Sequence, residues 1–136
     1  MKLNDVRLLR EQAYVNGQWV DADNNDRFAV TNPANGQTFA QVSALGQVET
    51  ARAIAAAEAA LPAWRGKTAK ERSTILRKWF DLIMANQEDL ARLLSQEQGK
   101  PLAESRGEIA YGANFIEWFA EEAKRIYGDV IPHDKQ

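Results

Sequence analysis

At Gly46 the spacing of apolar residues changes from every second position to about every 3.6, and no other feature of the sequence limits the fold as much. Before that point the chain has the pattern of short strands and turns; after it, apolar residues gather on helix faces. Two turn signals mark the first part. In "YVNGQWV" (14–20), Asn16-Gly17 stands between apolar residues, as a two-residue hairpin turn requires, because both central positions take positive φ. In "RFAVTNPANGQTFAQV" (27–42), Phe28 and Val30 alternate before Asn32-Pro33 and Asn35-Gly36, and Thr38, Ala40 and Val42 alternate after them. The expected product over 1–45 is hairpins that make at most a small antiparallel meander, with a short helical turn near 5–10 that Asp5 caps.

Four helices are predicted over 46–128. The first, 48–61, places Ile54, Ala57, Leu61 and Trp64 at helical spacing, with Pro62 marking its end. The second starts at Thr68, whose T-x-x-E pairing with Glu71 is a capping box, and it presents Ile75, Leu76, Trp79, Phe80 and Ile83 to a core. The third begins near Asn86, buries Leu90, Leu93 and Leu94, and closes at Gly99-Lys100-Pro101, where glycine accepts a left-handed backbone and proline blocks continuation.

The fourth helix, 102–127, carries two apolar faces. One is smooth and made mostly of small residues: Ile109, Gly112, Ala113, Ile116, Ala120, Ala123 and Tyr127. The other is aromatic: Tyr111, Phe115, Trp118 and Phe119. Together they cover more than half the circumference, wider than the stripe of an ordinary surface helix, and a helix apolar over such an arc is normally buried between two layers. The pattern leaves two destinations open for the rings, the chain's own hairpins or another domain or subunit.

Composition excludes several functions. The 136 residues suit one domain able to bury roughly two-thirds of its unfolded surface. The net charge is -2, with Lys and Arg mixed among Asp and Glu, so no basic face for nucleic acid is expected. No run approaches the ~20 apolar residues of a membrane span. The first residues, "MKLNDVRLLREQ", lack the apolar core of a signal peptide, so a cytoplasmic location is expected. Cysteine is absent, which removes a thiolate nucleophile, a disulfide and any thiolate metal site. The single histidine, His133, lies near the C-terminus, outside any expected packed element. Glycines 99, 107 and 112 match no phosphate-cradling motif. The i,i+4 pairs Glu104/Glu108 and Glu117/Glu121 read as solvated helix faces, Trp64, Trp79 and Trp118 as packing residues, and Trp19 as a cover for its hairpin. From residues alone the fold class is α+β, mostly α, with N-terminal β-hairpins followed by about four helices and no visible catalytic residue.

The order of segments carries more. "YVNGQWVDA", "FAVTNPANGQTFAQV", "ARAIAAAEAALPAWR", "ERSTILRKWFDLI", "LARLLSQEQGKPLAESRGEI" and "FIEWFAEEAKRIYGDVIP" occur in the order and spacing of the N-terminus of the aldehyde dehydrogenase superfamily. The chain resembles the first quarter to third of such an enzyme, and "EQGKPLAES" with "EWFAEEAKRIYGD" most resembles the succinate-semialdehyde dehydrogenase branch. The resemblance implies a hairpin region at 1–45, a helical region at 46–128 leading into an NAD(P)-binding α/β domain, and a truncated linker at 129–136.

In that family a cysteine thiolate attacks the aldehyde, hydride passes to NAD or NADP, and a glutamate-activated water releases the acid, with an asparagine side chain and a backbone N–H holding the oxyanion. None of those positions falls within this chain, so no catalytic or cofactor-binding residue carries over. No cofactor is expected for the chain alone. The implied partners are the missing C-terminal part or other subunits, with a homo-oligomer as the expected assembly. Two sites do carry over. Thr31, by its carbonyl, and Glu97 match the positions that hold a cation such as Na⁺ or Ca²⁺ in relatives. Tyr111 and Phe115 match the lining of the aldehyde channel. The expected function is that of an inactive N-terminal fragment of an enzyme oxidising succinate semialdehyde. The alternatives are a non-catalytic interaction module that self-associates or docks on a full-length dehydrogenase, and a decayed gene product without activity.

Overall fold

The structure, a computed structural model, describes residues 2–132. His133 and the end of the segment read as a linker lie outside them. Asp5 caps a short 3-10 turn, Val6–Leu8, by accepting the Arg7 amide at 2.9 Å. Strands β1 (Ala13–Val15) and β2 (Gln18–Val20) form the first hairpin. Asn16 (φ 49) and Gly17 (φ 80) both take the positive φ that the Asn-Gly pair predicts. Across it Tyr14 faces Trp19 with ring centroids 5.1 Å apart, and the Arg10 guanidinium lies 4.8 Å above the indole.

Strands β3 (Arg27–Thr31) and β4 (Thr38–Ser43) form the second hairpin, with Phe28 opposite Val42 and Val30 opposite Ala40. The two hairpins are separate two-stranded sheets, in line with the expected N-terminal β-hairpins, and they do not join into a meander. What lies against the outer edge of β4 is the N-terminal segment: Ser43 N–H donates to Glu11 O (2.8 Å) and Gln41 N–H to Glu11 Oε1 (2.6 Å).

Helix α1 (Gln47–Arg65) runs past Pro62 to Arg65, beyond the predicted end. Pro62 is exposed, so its ring and the carbonyl it leaves unbonded face water, and the helix continues on its alanines. None of its residues is buried, and Ile54 and Leu61, expected on a core face, are open to solvent. Helix α2 (Ala69–Ala85) opens as predicted: Thr68 Oγ1 accepts from the Glu71 amide (3.3 Å), and Glu71 Oε2 accepts from the Thr68 amide (2.7 Å). Helix α3 (Gln87–Gln98) stops at Gly99, whose φ of +82 is left-handed.

Helix α4 (Leu102–Glu122) ends a turn before the predicted 127. The amides of Lys124 and Arg125 bond three residues back, to Glu121 O and Glu122 O, tightening the chain out of the helix. Tyr127, assigned to the small-residue face, lies beyond the helix in solvent, as does Ile126.

The core lies where α4 packs on α2 and α3. It is built from small side chains: Ala113 and Ala120 of α4, Ala91 of α3, and the serines Ser73 and Ser105, the latter within 2.8 Å of the hydroxyl of half-buried Ser95. The small-residue face of α4 is thus confirmed, although Gly112 on it is exposed. Ser105 is the largest fully buried side chain among the described residues. The accessible surface is 10255 Å², where a compact monomer of 15.2 kDa would expose about 7100 Å². The chain hides about half of its unfolded surface, short of the two-thirds its length permits.

Candidate functional site

The excess surface concentrates on α4. Tyr111 (65% exposed), Phe115 (50%), Trp118 (60%) and Phe119 (59%) lie open to solvent. The hairpins do not cover them, which settles the choice left open by periodicity against self-packing. Spacing of three and four residues lines the rings along one face of the helix. Tyr111 and Phe115 meet edge to face, with centroids 5.0 Å apart and planes at 87°. With Asn114 they line an open groove of about 390 Å³. Asn114 is a polar member that the sequence reading missed, although its position, three after Tyr111 and four before Trp118, places it on this face. Trp118 and Trp79, read as packing residues, are both exposed: periodicity marks a side chain as apolar but does not say what covers it.

Ion pairs link this helix to α2 and α3. Arg77 of α2 bonds Glu117 of α4 at 2.7 Å. Glu88 of α3 bonds Arg106 of α4 (2.7 Å) and Arg92 of its own helix (3.1 Å). Arg106 first, then Arg92, holds the Glu88 carboxyl down at about 2. Glu108 pairs with Lys100, and Glu121 with Lys124 at 2.6 Å, which lowers the Glu121 pKa. Of the i,i+4 pairs, Glu108, Glu117 and Glu121 are thus held by cations, and Glu104 has no ion pair among the described residues.

Thr31 ends β3 and Glu97 stands in the last turn of α3; both are exposed. Their elements meet, because Pro33 packs so closely on Gly99 that a Cβ there would come within 2.8 Å of Pro33 Cγ. No cluster of three His, Asp or Glu side chains among the described residues is arranged to hold a metal ion.

A second cleft, of about 410 Å³, lies between the first hairpin and α1 and includes Asp23, Glu49 and Arg52. Asp23, Glu49 and Arg52 all have hydrogen-bond partners in the structure. Arg52 bonds Asp23 (2.6 Å), and Glu49 accepts the amides of Asp23 (3.0 Å) and Gly46 (3.1 Å). The amide of Asp23 is the main cause of the lowered Glu49 pKa. No helix among the described residues is long and apolar enough to cross a membrane.

Two hairpins followed by four helices, one with an uncovered aromatic face, define an α+β segment. The sequence profile described as the aldehyde dehydrogenase family matches residues 19–136, and the chain belongs to that family. It is 64% identical to the glutarate-semialdehyde dehydrogenase of Pseudomonas putida over 97% of its own length and 28% of that protein's. Against the NADP(+) succinate-semialdehyde dehydrogenase of Escherichia coli it is also 64% identical, covering 27% of that enzyme. A crystal structure titled E. coli NADP dependent enzyme superposes with a TM-score of 0.95 at 62% identity, covering 98% of this chain and 28% of that one. The hairpins and four helices thus match the N-terminal part of the aldehyde dehydrogenase fold, and the chain spans about 28% of the length of the curated relatives it matches.

Proposed function

We propose that the chain is the N-terminal supporting segment of a cytoplasmic semialdehyde dehydrogenase. That enzyme oxidises succinate semialdehyde, or a close homologue ending in a carboxylate, to the diacid. Water supplies the added oxygen, and hydride goes to NAD or NADP. The residues described do not fit a dinucleotide: both sheets are antiparallel hairpins, and no parallel strand leads through a glycine turn into a helix N-terminus. Nor does the sequence contain the cysteine that the family's chemistry uses.

The contribution of this segment is to shape and to exclude water. Tyr111 and Phe115 form an apolar wall of the aldehyde channel, and the helical region 46–128 supports the nucleotide-binding domain. Thr31 and Glu97 hold a cation where β3 meets α3. The observation that carries the reading is the bare aromatic face of α4, in a chain 64% identical to a semialdehyde dehydrogenase over 97% of its length but only 28% of that relative's.

The test is complementation. The 136-residue chain alone is expected to give no NADH or NADPH absorbance with succinate or glutarate semialdehyde. Co-expressed with the remaining part of a related succinate-semialdehyde dehydrogenase, it is expected to restore turnover. Activity from the chain alone would overturn the assignment, and so would a remainder that is fully active without it.

A further inference from the structure

Helix α3, about 18 Å long, contacts β3 of a hairpin whose strand β4 is about 20 Å long. At one end they are joined by Pro33 against Gly99. The N-terminal segment links the first turn of α3 to the other end of the hairpin, at Ser43. Asp89, 3% exposed in the first turn of α3, is one of only three buried polar residues among those described. Among the described residues its carboxylate has no cation within bonding distance and serves instead as an acceptor of N–H groups. Oδ1 takes the amide (3.0 Å) and Nδ2 (3.1 Å) of Asn4, and Oδ2 takes the amides of Asn4 (2.9 Å) and Asp5 (2.8 Å). Arg92, one turn on, donates to Lys2 O at 2.8 Å. Six residues beyond Asp5, Glu11 accepts from Ser43 N–H and Gln41 N–H. The bonds at Asp89 span 84 and 85 residues of sequence, so ordering them costs chain entropy that a local cap would not.

We propose that residues 2–12 are a strap, clamped at Asp89, that fixes the open end of the β3–β4 hairpin to α3. An isolated two-stranded hairpin is marginally stable in water, and the strap adds a tie at its open end to the contacts that β3 makes with α3 and Pro33 makes with Gly99. The Asp89 carboxylate suits the clamp because all its partners are N–H donors and the N-terminus of α3 favours negative charge.

The test is amide hydrogen exchange followed by NMR on the full chain. Asp89→Asn keeps the shape but turns an NH₂ group toward N–H donors. Deleting residues 2–5 removes the strap's end and leaves α3 intact. Both variants are expected to accelerate exchange at Gln41 and Ser43 by about tenfold or more, the scale of one lost hydrogen bond to a charged group. Amides of Leu76 and Phe80 in α2 serve as the reference. Unchanged rates at Gln41 and Ser43 in the deletion variant would overturn the proposal, and would reduce Asp89 to a local stabiliser of α3. Should Asp89→Asn fail to fold, the deletion variant decides alone.

Discussion

Replacing Gly99 with alanine tests how the end of α3 is built. Two physical costs act at this position. Its φ of +82 is left-handed, which costs an L-residue about 1–2 kcal/mol. The added Cβ would come within 2.8 Å of Pro33 Cγ, so the proline ring and the hairpin turn behind it must move; overpacking of that kind costs about 1–3 kcal/mol. Gly99→Ala is therefore expected to lose about 2–5 kcal/mol in urea unfolding followed by circular dichroism. Gly99→Asn separates the terms. Asparagine tolerates the left-handed region, so about 1–3 kcal/mol of overpacking remains. Gly107, inside α4, is the control: a Cβ there meets nothing within 4 Å, and Gly107→Ala is expected to stabilise by about 0.5–1 kcal/mol. A Gly99→Ala chain within about 0.5 kcal/mol of the parent would refute the reasoning, because neither cost would then be real.

Two further outcomes are expected. Glu88 has its folded pKa depressed to about 2 from an ordinary 4.5, so its ion pairs stabilise the chain above pH 4.5 and that stability is lost as pH falls toward 2. The stability difference between the parent and Glu88→Gln, measured by urea unfolding at several pH values, is expected to vanish across that window; a difference independent of pH would contradict it. The combined variant Tyr111→Ser, Phe115→Ser, Phe119→Ser is expected to bind less of an apolar dye and to associate less in light scattering. Its unfolding free energy is expected to fall by no more than about 1.5 kcal/mol, since exposed side chains carry little folding energy; a much larger loss would place the rings in the chain's own core.

Features set by neighbouring residues were legible in the sequence. Asn16-Gly17, the Thr68–Glu71 box, the Asp5 cap and the Gly99 stop each depend on a few adjacent residues, and each is found where the pattern puts it. The width of the apolar arc on α4 marked its rings as needing cover and left open whether the chain's own hairpins supply it; the structure shows that they do not. What periodicity could not supply is the identity of that cover. Ile54, Leu61, Trp79 and Trp118 have the spacing of core residues, yet the described residues do not bury them. The same limit misplaced two helix ends. Ile126 and Tyr127 continue the apolar period of α4 but have nothing to pack on, and exposed Pro62 interrupts a bond in α1 without ending the helix. Asp89 left no sequence signal, because its partners lie 84 and 85 residues away.

The contact of Glu11 with β4 has a bearing on solubility. With only two strands per sheet, every strand here is a rim, and an exposed row of amides invites a stranger's backbone to add on. On β4 the outward amides of Gln41 and Ser43 are already occupied by Glu11, through its carboxylate and its carbonyl. A visiting strand would have to evict a negatively charged side chain to dock there, so the segment that completes the hairpin's bonding also denies the rim to amyloid-like growth.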